Sequence, residues 1–322
     1  MILVTGANGY VGSALLERLL VEGMPVRAAV RTPATLSVLR AKYPQGDVAA
    51  VGTVDSATDW SEALAGVEVV VHLAARVHVM RDEVADPLTE FRAVNVEGAL
   101  NLARQAAKAG VRRFIYLSSI KVNGEGTLPG QFFTEQDIPL PLDPYGISKY
   151  EAEEGLRKIA QQANMELVII RPPLVYGPGV KANFLNMMRW LQKGLPLPFA
   201  AIHNYRSLLA LDNLVDFIVT CLDHPAAANQ IFLVADGEDI STTDLLRRTA
   251  AALNVSARLF PVPQNLLEVG FKVAGKSDLA RRLCGSLRLD ITKARTVLGW
   301  YPPVSVNEGL YRTAAHFLRG RS

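Results

Sequence analysis

Two residues of one predicted helix, Tyr145 and Lys149, have the types and the spacing that acid–base chemistry at a substrate oxygen requires. A separation of four residues places both side chains on the same face of a helix. A phenol with a pKa near ~10 exchanges protons poorly at neutral pH, but a neighbouring ammonium can lower that pKa by about one to three units. We therefore expect Lys149 to lower the pKa of Tyr145, so that the tyrosine can move a proton at the substrate oxygen.

A pair of serines, Ser118 and Ser119, follows the apolar run 113–117, which predicts a strand. The carboxyl ends of parallel strands form the edge at which open α/β sheets bind ligands. A serine hydroxyl there would hydrogen-bond the same substrate oxygen as the tyrosine. The spacing alone leaves open which of the two serines does so.

A glycine-rich turn, residues 5–12, joins the apolar run 1–4 to a helical pattern that begins at Ser13. Backbone N–H groups in such a turn point at one place, where they can hold a pyrophosphate at the positive end of the helix. The alternative is a tight turn that binds no ligand. The residues of the turn predicted to contact a dinucleotide are Gly6, Asn8, Gly9, Tyr10, Val11 and Gly12.

Arg31 stands at the tip of the second predicted strand, residues 25–30. Dinucleotide folds use an acidic residue about 20 residues past the glycines to bind the ribose of NAD, and an arginine for the 2′-phosphate of NADP. No carboxylate lies between Gly23 and Lys42. The sequence therefore favours NADP(H), with NAD(H) as the other possibility and a solvated arginine as the non-functional alternative.

Continuous valine-rich strands that alternate with helices predict an α/β fold, a Rossmann-like doubly wound parallel sheet covered on both faces. Pro172 and Pro173 end the sixth strand, after which we expect a smaller, mostly helical C-terminal substrate lobe. The expected division is a dinucleotide-binding domain over residues 1–172, with a return segment near 205–235, and a substrate-binding lobe over 173–322.

Composition limits the class of protein. The chain has 322 residues, 49% of them hydrophobic, and a formal net charge of +3, which argues against disorder and against a nucleic-acid partner. No apolar stretch is long enough for a membrane span and none reads as a signal peptide, so a cytoplasmic location is expected. Cys221 and Cys284 lack metal-ligand spacing, and no metal is expected.

The glycine spacing G-x-x-G-x-x-G, the Y-x-x-x-K pair and the segment Arg-Pro-Pro-Leu-Val-Tyr-Gly-Pro at 171–178 together resemble the extended short-chain dehydrogenase/reductases. This is the nucleotide-sugar epimerase/dehydratase group. The resemblance selects Ser119, five residues before Gly124, as the catalytic serine, and it implies that Lys149 also holds the cofactor ribose. It further implies cofactor contacts for Val54, Leu73, Ala74, Ala75, Asn95 and Pro172, and substrate contacts for Asn183 and Arg206.

The resemblance also bears on the reaction. Related 4,6-dehydratases carry an Asp-Glu pair directly after the catalytic threonine, whereas this chain has Ile120 and Lys121, so hydride transfer at C4 of a nucleotide-linked sugar is expected instead. Because of Arg31, reduction of a UDP-4-keto-6-deoxy-N-acetylhexosamine by NADPH is favoured. The alternatives are a UDP-hexose or UDP-N-acetylhexosamine 4-epimerase with bound NAD, and a non-catalytic NADP-sensing regulator. The family likeness also suggests a homodimer formed through the helices that begin near Pro87 and Tyr145.

Overall fold

The computed structural model describes residues 1–77, 86–275 and 277–320. Ten strands occur within these ranges. They are β1 (Ile2–Thr5), β2 (Val26–Val30), β3 (Asp47–Ala50), β4 (Val69–His72), β5 (Arg113–Leu117), β6 (Glu166–Arg171), β7 (Leu174–Tyr176), β8 (Arg206–Ala210), β9 (Gln230–Leu233) and β10 (Asp239–Ile240).

Thirteen α-helices lie in the described ranges, and most of them connect consecutive strands. They are α1 (Tyr10–Val21), α2 (Pro33–Lys42), α3 (Ser61–Leu64), α4 (Pro87–Arg92), α5 (Ala99–Lys108), α6 (Pro144–Ala163), α7 (Ala182–Gln192), α8 (Leu211–Asp223), α9 (Thr242–Ala252), α10 (Gln264–Val273), α11 (Ser277–Cys284), α12 (Thr292–Leu298) and α13 (Val306–Arg319).

The main sheet has the strand order β3-β2-β1-β4-β5-β6-β9, and all of its strand pairs are parallel. This is the order of a doubly wound dinucleotide-binding fold with one further strand at its edge. The predicted fold class is therefore confirmed. The edge strand β9 comes from within the expected return segment, although the division of the chain at residue 172 stays a prediction.

Both faces of the main sheet are buried, because successive residues of a strand point to opposite faces. On β5, Phe114 packs on one side with α3, α5 and α6, whereas Ile115 packs on the other with α1 and α8. Two separate apolar cores follow, and they explain why the strands consist of continuous apolar residues.

The C-terminal lobe is mostly helical, as expected, but it also contains a small sheet of order β10-β8-β7 that the sequence did not reveal. Its strands β7 and β10 have three and two residues, too few to produce a periodic pattern. Arg206, predicted to contact substrate, begins β8. Within the described ranges, no helix has the length and hydrophobicity that a bilayer crossing requires.

The helical segment that begins at Pro87 is continuous to Lys108 but not uniform. Between α4 and α5 it contains a π-helical turn, Ala93–Gly98, which carries Asn95. A π-turn widens the helix by one residue and is often found at functional sites. Asn95, an unfavourable residue for a regular helix interior, thus lies where the helix is irregular.

Candidate active site

The glycine turn brings β1 and α1 into a close approach that only glycine permits. Gly6 has φ +66°, and a Cβ on Gly12 would lie 2.1 Å from the carbonyl oxygen of Gly6. Gly9 occupies the N-cap position of α1 and offers no side chain to accept the first helical N–H groups. The open helix N-terminus suits the pyrophosphate of a dinucleotide, so the turn fits the predicted cofactor.

The segment after β4 lies directly against this turn. Leu73 and Ala74 each donate a backbone N–H to Thr5 Oγ1 at 3.2 Å, and a Cβ on Gly6 would meet Ala74 N at 2.9 Å. His72, at the end of β4, shares a 2.8 Å hydrogen bond between its Nδ1 and Thr5 Oγ1. Burial, helped by the charge of Lys149, lowers the pKa of His72 to about 3, which fits a neutral core histidine.

Asn95 connects three elements around the same region. Its Oδ1 accepts from the N–H of Arg76 at 2.8 Å, and its Nδ2 donates to Ser148 Oγ at 3.0 Å. The asparagine therefore fixes the chain just after Ala75 relative to Ser148 of α6. Its contact with a cofactor, like those of Leu73, Ala74 and Ala75, remains a prediction.

The residues predicted for the adenosine half of the cofactor lie at the ends of β2 and β3. Arg31 is exposed at the end of β2, and Val54 is half-buried in the loop after β3. Val54 packs against the π-turn so closely that a Cβ on Gly98 would lie 2.9 Å from it. Asn8 lines a cavity of about 440 Å³ between the glycine turn and α2. These positions are compatible with the predicted contacts and do not identify the cofactor.

Tyr145 and Lys149 share one face of α6, as their spacing predicts. The Lys149 ammonium is 2% exposed and donates a 2.8 Å hydrogen bond to the carbonyl oxygen of Leu117, the last residue of β5. Its Nζ lies 6.0 Å from the centroid of the Tyr145 ring and 4.5 Å from that of Tyr116. The lysine therefore joins the tyrosine helix to the strand end that carries the serines.

The expected electrostatics are wrong in one respect. Burial raises the pKa of Tyr145, and the Asp143 carboxylate raises it further. Burial also lowers the pKa of Lys149 to about 7, against an opposing effect of Glu153. The sequence suggested that the lysine charge makes the tyrosine more acidic, but burial, which penalises both ionised forms, raises the pKa of Tyr145 instead.

The two adjacent serines have different environments, which gives a physical reason for preferring Ser119. Ser118 is buried, and its hydroxyl donates a 2.5 Å hydrogen bond to Glu153 Oε1. Ser119 is half-buried and begins a 3₁₀ turn, in which its Oγ accepts from the N–H of Lys121 at 3.2 Å. Pro172, another predicted cofactor contact, accepts a 3.0 Å hydrogen bond from the N–H of Ile120 beside this turn.

Sequence reasoning missed a buried ion pair beneath these residues. Arg171 donates to both carboxylate oxygens of Glu153, from Nε at 2.9 Å and from Nη2 at 2.5 Å, and both side chains are at most 1% exposed. The guanidinium also donates to Asn123 Oδ1 at 2.9 Å. The pair links β6 to α6 below the serines. Its only sequence signal was a glutamate four residues after Lys149.

The predicted substrate residues lie in the smaller lobe. Arg206 is half-buried and donates to the carbonyl oxygen of Gly285 at 3.0 Å. Burial lowers its pKa, and the neighbouring charge of Arg282 adds to the effect. Asn183 is exposed near the start of α7, where its predicted role is untested.

Neither cysteine forms a disulfide, and both thiols are buried. Within the part of the chain that the structure describes, His, Cys, Asp and Glu side chains form no cluster that could hold a metal ion.

Comparison with known proteins identifies the family to which this chain belongs. A model of the NAD dependent epimerase/dehydratase family matches residues 2–235. The chain is 48% identical to the UDP-glucose 4-epimerase of Vibrio cholerae, with 100% of this chain and 96% of that protein covered. It is 32% identical to the UDP-glucose 4-epimerase of Mycolicibacterium smegmatis, with 99% of each covered. The solved UDP-glucuronic acid 4-epimerase of Bacillus cereus, in complex with NAD, has a TM-score of 0.78 at 21% identity over 100% of this chain and 99% of that one, a likeness of fold.

Proposed function

We propose that this chain, which belongs to the NAD dependent epimerase/dehydratase family, is a UDP-hexose 4-epimerase that retains NAD throughout its reaction. The observation that carries the proposal is the 48% identity, over the whole chain, with the Vibrio cholerae UDP-glucose 4-epimerase. It supports the alternative of the sequence analysis better than the favoured 4-keto reductase. A non-catalytic regulator is set aside, because the chain is an enzyme of this family and Tyr145 and Lys149 are both in place.

The side chains of the site can perform the proton part of this reaction. The glycine turn and Lys149 would hold NAD, which would supply reversible hydride transfer at C4 of the sugar. Tyr145 would exchange a proton with the C4 oxygen, and because burial raises its pKa this step would need cations near the phenol, which bound NAD and Lys149 would supply. The Ser119 hydroxyl would donate a hydrogen bond to the same oxygen. Lys149 would hold the cofactor ribose. Its hydrogen bond to Leu117 O fixes the ammonium between the tyrosine and the strand end.

Elimination of water does not fit the residues that follow Ser119. A dehydratase needs an acid and a base there, but Ile120 is buried in an apolar cluster. Lys121 is engaged in ion pairs with Asp143 and Glu125. The site therefore supports reversible hydride transfer better than dehydration.

Reduction by NADPH is the second candidate, and Arg31 is the observation that favours it. Its guanidinium is exposed at the end of β2, where it could pair with a 2′-phosphate. A reductase would exchange its cofactor at every turnover, whereas an epimerase keeps it.

The test begins with the cofactor. The purified protein is denatured, any released dinucleotide is identified, and the wild type is assayed for interconversion of UDP-glucose and UDP-galactose and of the two UDP-N-acetylhexosamines without added cofactor. Retained NAD with epimerase activity is expected, and Tyr145→Phe should lower kcat by about 10² to 10⁴-fold while it still retains NAD. Tyr150→Phe, on the same helix, is the control. Preferential NADPH binding, with reduction of a UDP-4-keto sugar and no epimerisation, would overturn the proposal in favour of the reductase.

Helices α4 and α5 pack along α6, and this arrangement is compatible with a homodimer formed through these helices. An ion pair of 2.6 Å between Arg92 of α4 and Glu151 of α6 already joins these helices within one chain. We propose that the homodimer forms through the same helices, which light scattering would test by the mass in solution.

A further inference from the structure

Lys121 touches both halves of the predicted catalytic machinery. Its backbone N–H donates to Ser119 Oγ at 3.2 Å, within the 3₁₀ turn that follows β5. Its ammonium forms an ion pair with Asp143, the N-cap residue of α6, and a second one with Glu125 at 3.3 Å. One residue thus contacts the serine turn through its main chain and the tyrosine helix through its side chain.

Asp143 serves two partners with its two carboxylate oxygens. Its Oδ1 accepts the N–H of Gly146 at 2.6 Å, which caps the first turn of α6 next to Tyr145. Its Oδ2 accepts from Lys121. Because a capping carboxylate must keep a fixed direction, a cation on its other oxygen holds the first turn of the helix in place.

The backbones of the two elements are also in direct contact at this point. A Cβ on Gly146 would lie 3.0 Å from the carbonyl oxygen of Lys121 and 3.3 Å from its Cβ. The peptide after Tyr145 therefore rests on Lys121 itself. Any shift of this lysine alters the separation between the serine turn and the first turn of α6.

The charges around Lys121 argue against a direct substrate contact. Its ammonium already has two carboxylate partners, and Asp143 and Glu125 are only 21% and 15% exposed. A cation that is paired twice in a half-buried environment has little remaining capacity for a ligand, and breaking those pairs would take the cation from Asp143, although Glu125 would keep Arg281 at 3.7 Å.

We propose that Lys121 is a positioning residue, which clamps the N-terminal turn of α6 against the serine turn and so sets the distance between the Ser119 and Tyr145 hydroxyls. The inference rests on the proposed function for its kinetic consequence. The clamp itself is a property of the fold. Two hydroxyls that must reach one substrate oxygen tolerate little displacement, since an error of about 1 Å can cost roughly 10²-fold in rate.

The test compares Lys121→Met, Lys121→Arg, Asp143→Asn and the double variant Lys121→Met/Asp143→Asn. Asparagine keeps the cap, because it still accepts from Gly146, but it removes the charge that Lys121 needs. The matched control is Arg312→Met. Arg312, on helix α13, also pairs with two carboxylates, Glu308 of the same helix at 2.7 Å and Asp212 of α8 at 3.3 Å.

We expect Lys121→Met to lower kcat by about 10- to 100-fold with KM for UDP-glucose changed by less than about threefold, and Lys121→Arg to recover most of the loss. The double variant should lose no more than the worse single variant, because both changes break one contact. The control should behave as wild type. An increase in KM at unchanged kcat, or additive losses, would overturn the positioning role.

A second readout does not depend on activity. Hydrogen exchange of peptides that include residues 143–149 should become about tenfold faster in Lys121→Met and stay unchanged in Arg312→Met. If the wild type shows no epimerase activity while this exchange effect is present, the proposed function fails and the clamp stands. Unchanged exchange in Lys121→Met would refute the clamp, whatever the enzyme's reaction.

Discussion

At the scale of single residues, Lys149 places an ionisable ammonium in a buried position. Its ammonium is 2% exposed, and the hydrogen bond to Leu117 O and the face of the Tyr116 ring compensate only part of the lost hydration. A buried ammonium of this kind favours its neutral form. We interpret the burial of Lys149 as a loss of folding stability that keeps a cation between Tyr145 and the end of β5.

This cost predicts a pH-dependent effect of Lys149→Met. The pKa of Lys149 is about 7 in the folded protein, whereas a lysine in the unfolded chain titrates near about 10.4. Between these two values the unfolded chain binds more protons, so the lysine's contribution to stability rises with pH. Below about pH 7 it is protonated in both states and the full penalty remains. Lys149→Met should therefore raise the free energy of unfolding most at low pH, by roughly 1–3 kcal/mol near pH 6, and least near pH 10.

Urea unfolding of the cofactor-free wild type and variant across this pH range measures the difference. Lys158→Met, an exposed position on the same helix, is the control and should show little dependence on pH. A stability difference for Lys149→Met that is constant with pH, or that grows as pH rises, would contradict the account of a desolvated ammonium.

At the scale of elements, the close approach of β1 and α1 determines the shape of the glycine turn. We expect Gly12→Ala to weaken dinucleotide binding by at least about tenfold, because a Cβ only 2.1 Å from the Gly6 carbonyl must push the helix N-terminus away from the turn. Gly270→Ala is the control, since a Cβ there meets nothing within 4 Å and alanine favours a helix. Isothermal titration with NAD and NADPH measures both. Wild-type affinity in Gly12→Ala would show that the turn is not the cofactor cradle.

The elements that could be predicted are those whose residues carry a local pattern. The strands β1 to β6 and the glycine turn were found because apolar runs and glycine spacing are properties of adjacent residues. The strand β8 was missed: its five residues pair with β7 and β10 from distant parts of the chain. The π-turn around Asn95 was missed too, because a one-residue shift in hydrogen bonding leaves the composition of the helix unchanged.

The contacts of the site fall into the same two groups, those that local spacing predicts and those that join distant parts of the chain. Tyr145 and Lys149 could be placed together because four residues span one turn of helix. The hydrogen bond between Ser118 and Glu153 joins residues 35 positions apart, so no local spacing pattern predicts it. The direction of the Tyr145 pKa shift was wrong for a related reason. Burial depends on everything that packs around a group, and only the folded chain supplies that.

At the scale of the whole molecule, the dinucleotide-binding half depends on residues far along the chain. Arg113 of β5 is 1% exposed, and its guanidinium donates to the carbonyl oxygens of Cys221 at 2.7 Å and His224 at 3.1 Å, at the end of α8. Phe217 and Ile218 of the same helix fill the core on that face of the sheet. The main sheet is thus completed by a segment that comes after α7, the first helix of the second lobe.

This dependence predicts that residues 1–172 alone do not form a native-like domain. Without α8 and β9, the part of the main sheet that α8 covers and the edge of β6 are exposed, and Arg113 loses two buried partners, a loss that destabilises by about 1–3 kcal/mol per unsatisfied group. Circular dichroism during urea unfolding should show a cooperative transition for the full chain and none for the fragment. NAD should stabilise only the full chain. A fragment that unfolds cooperatively and binds NAD would mean that the first half has a sufficient core of its own, and that the return segment only extends it.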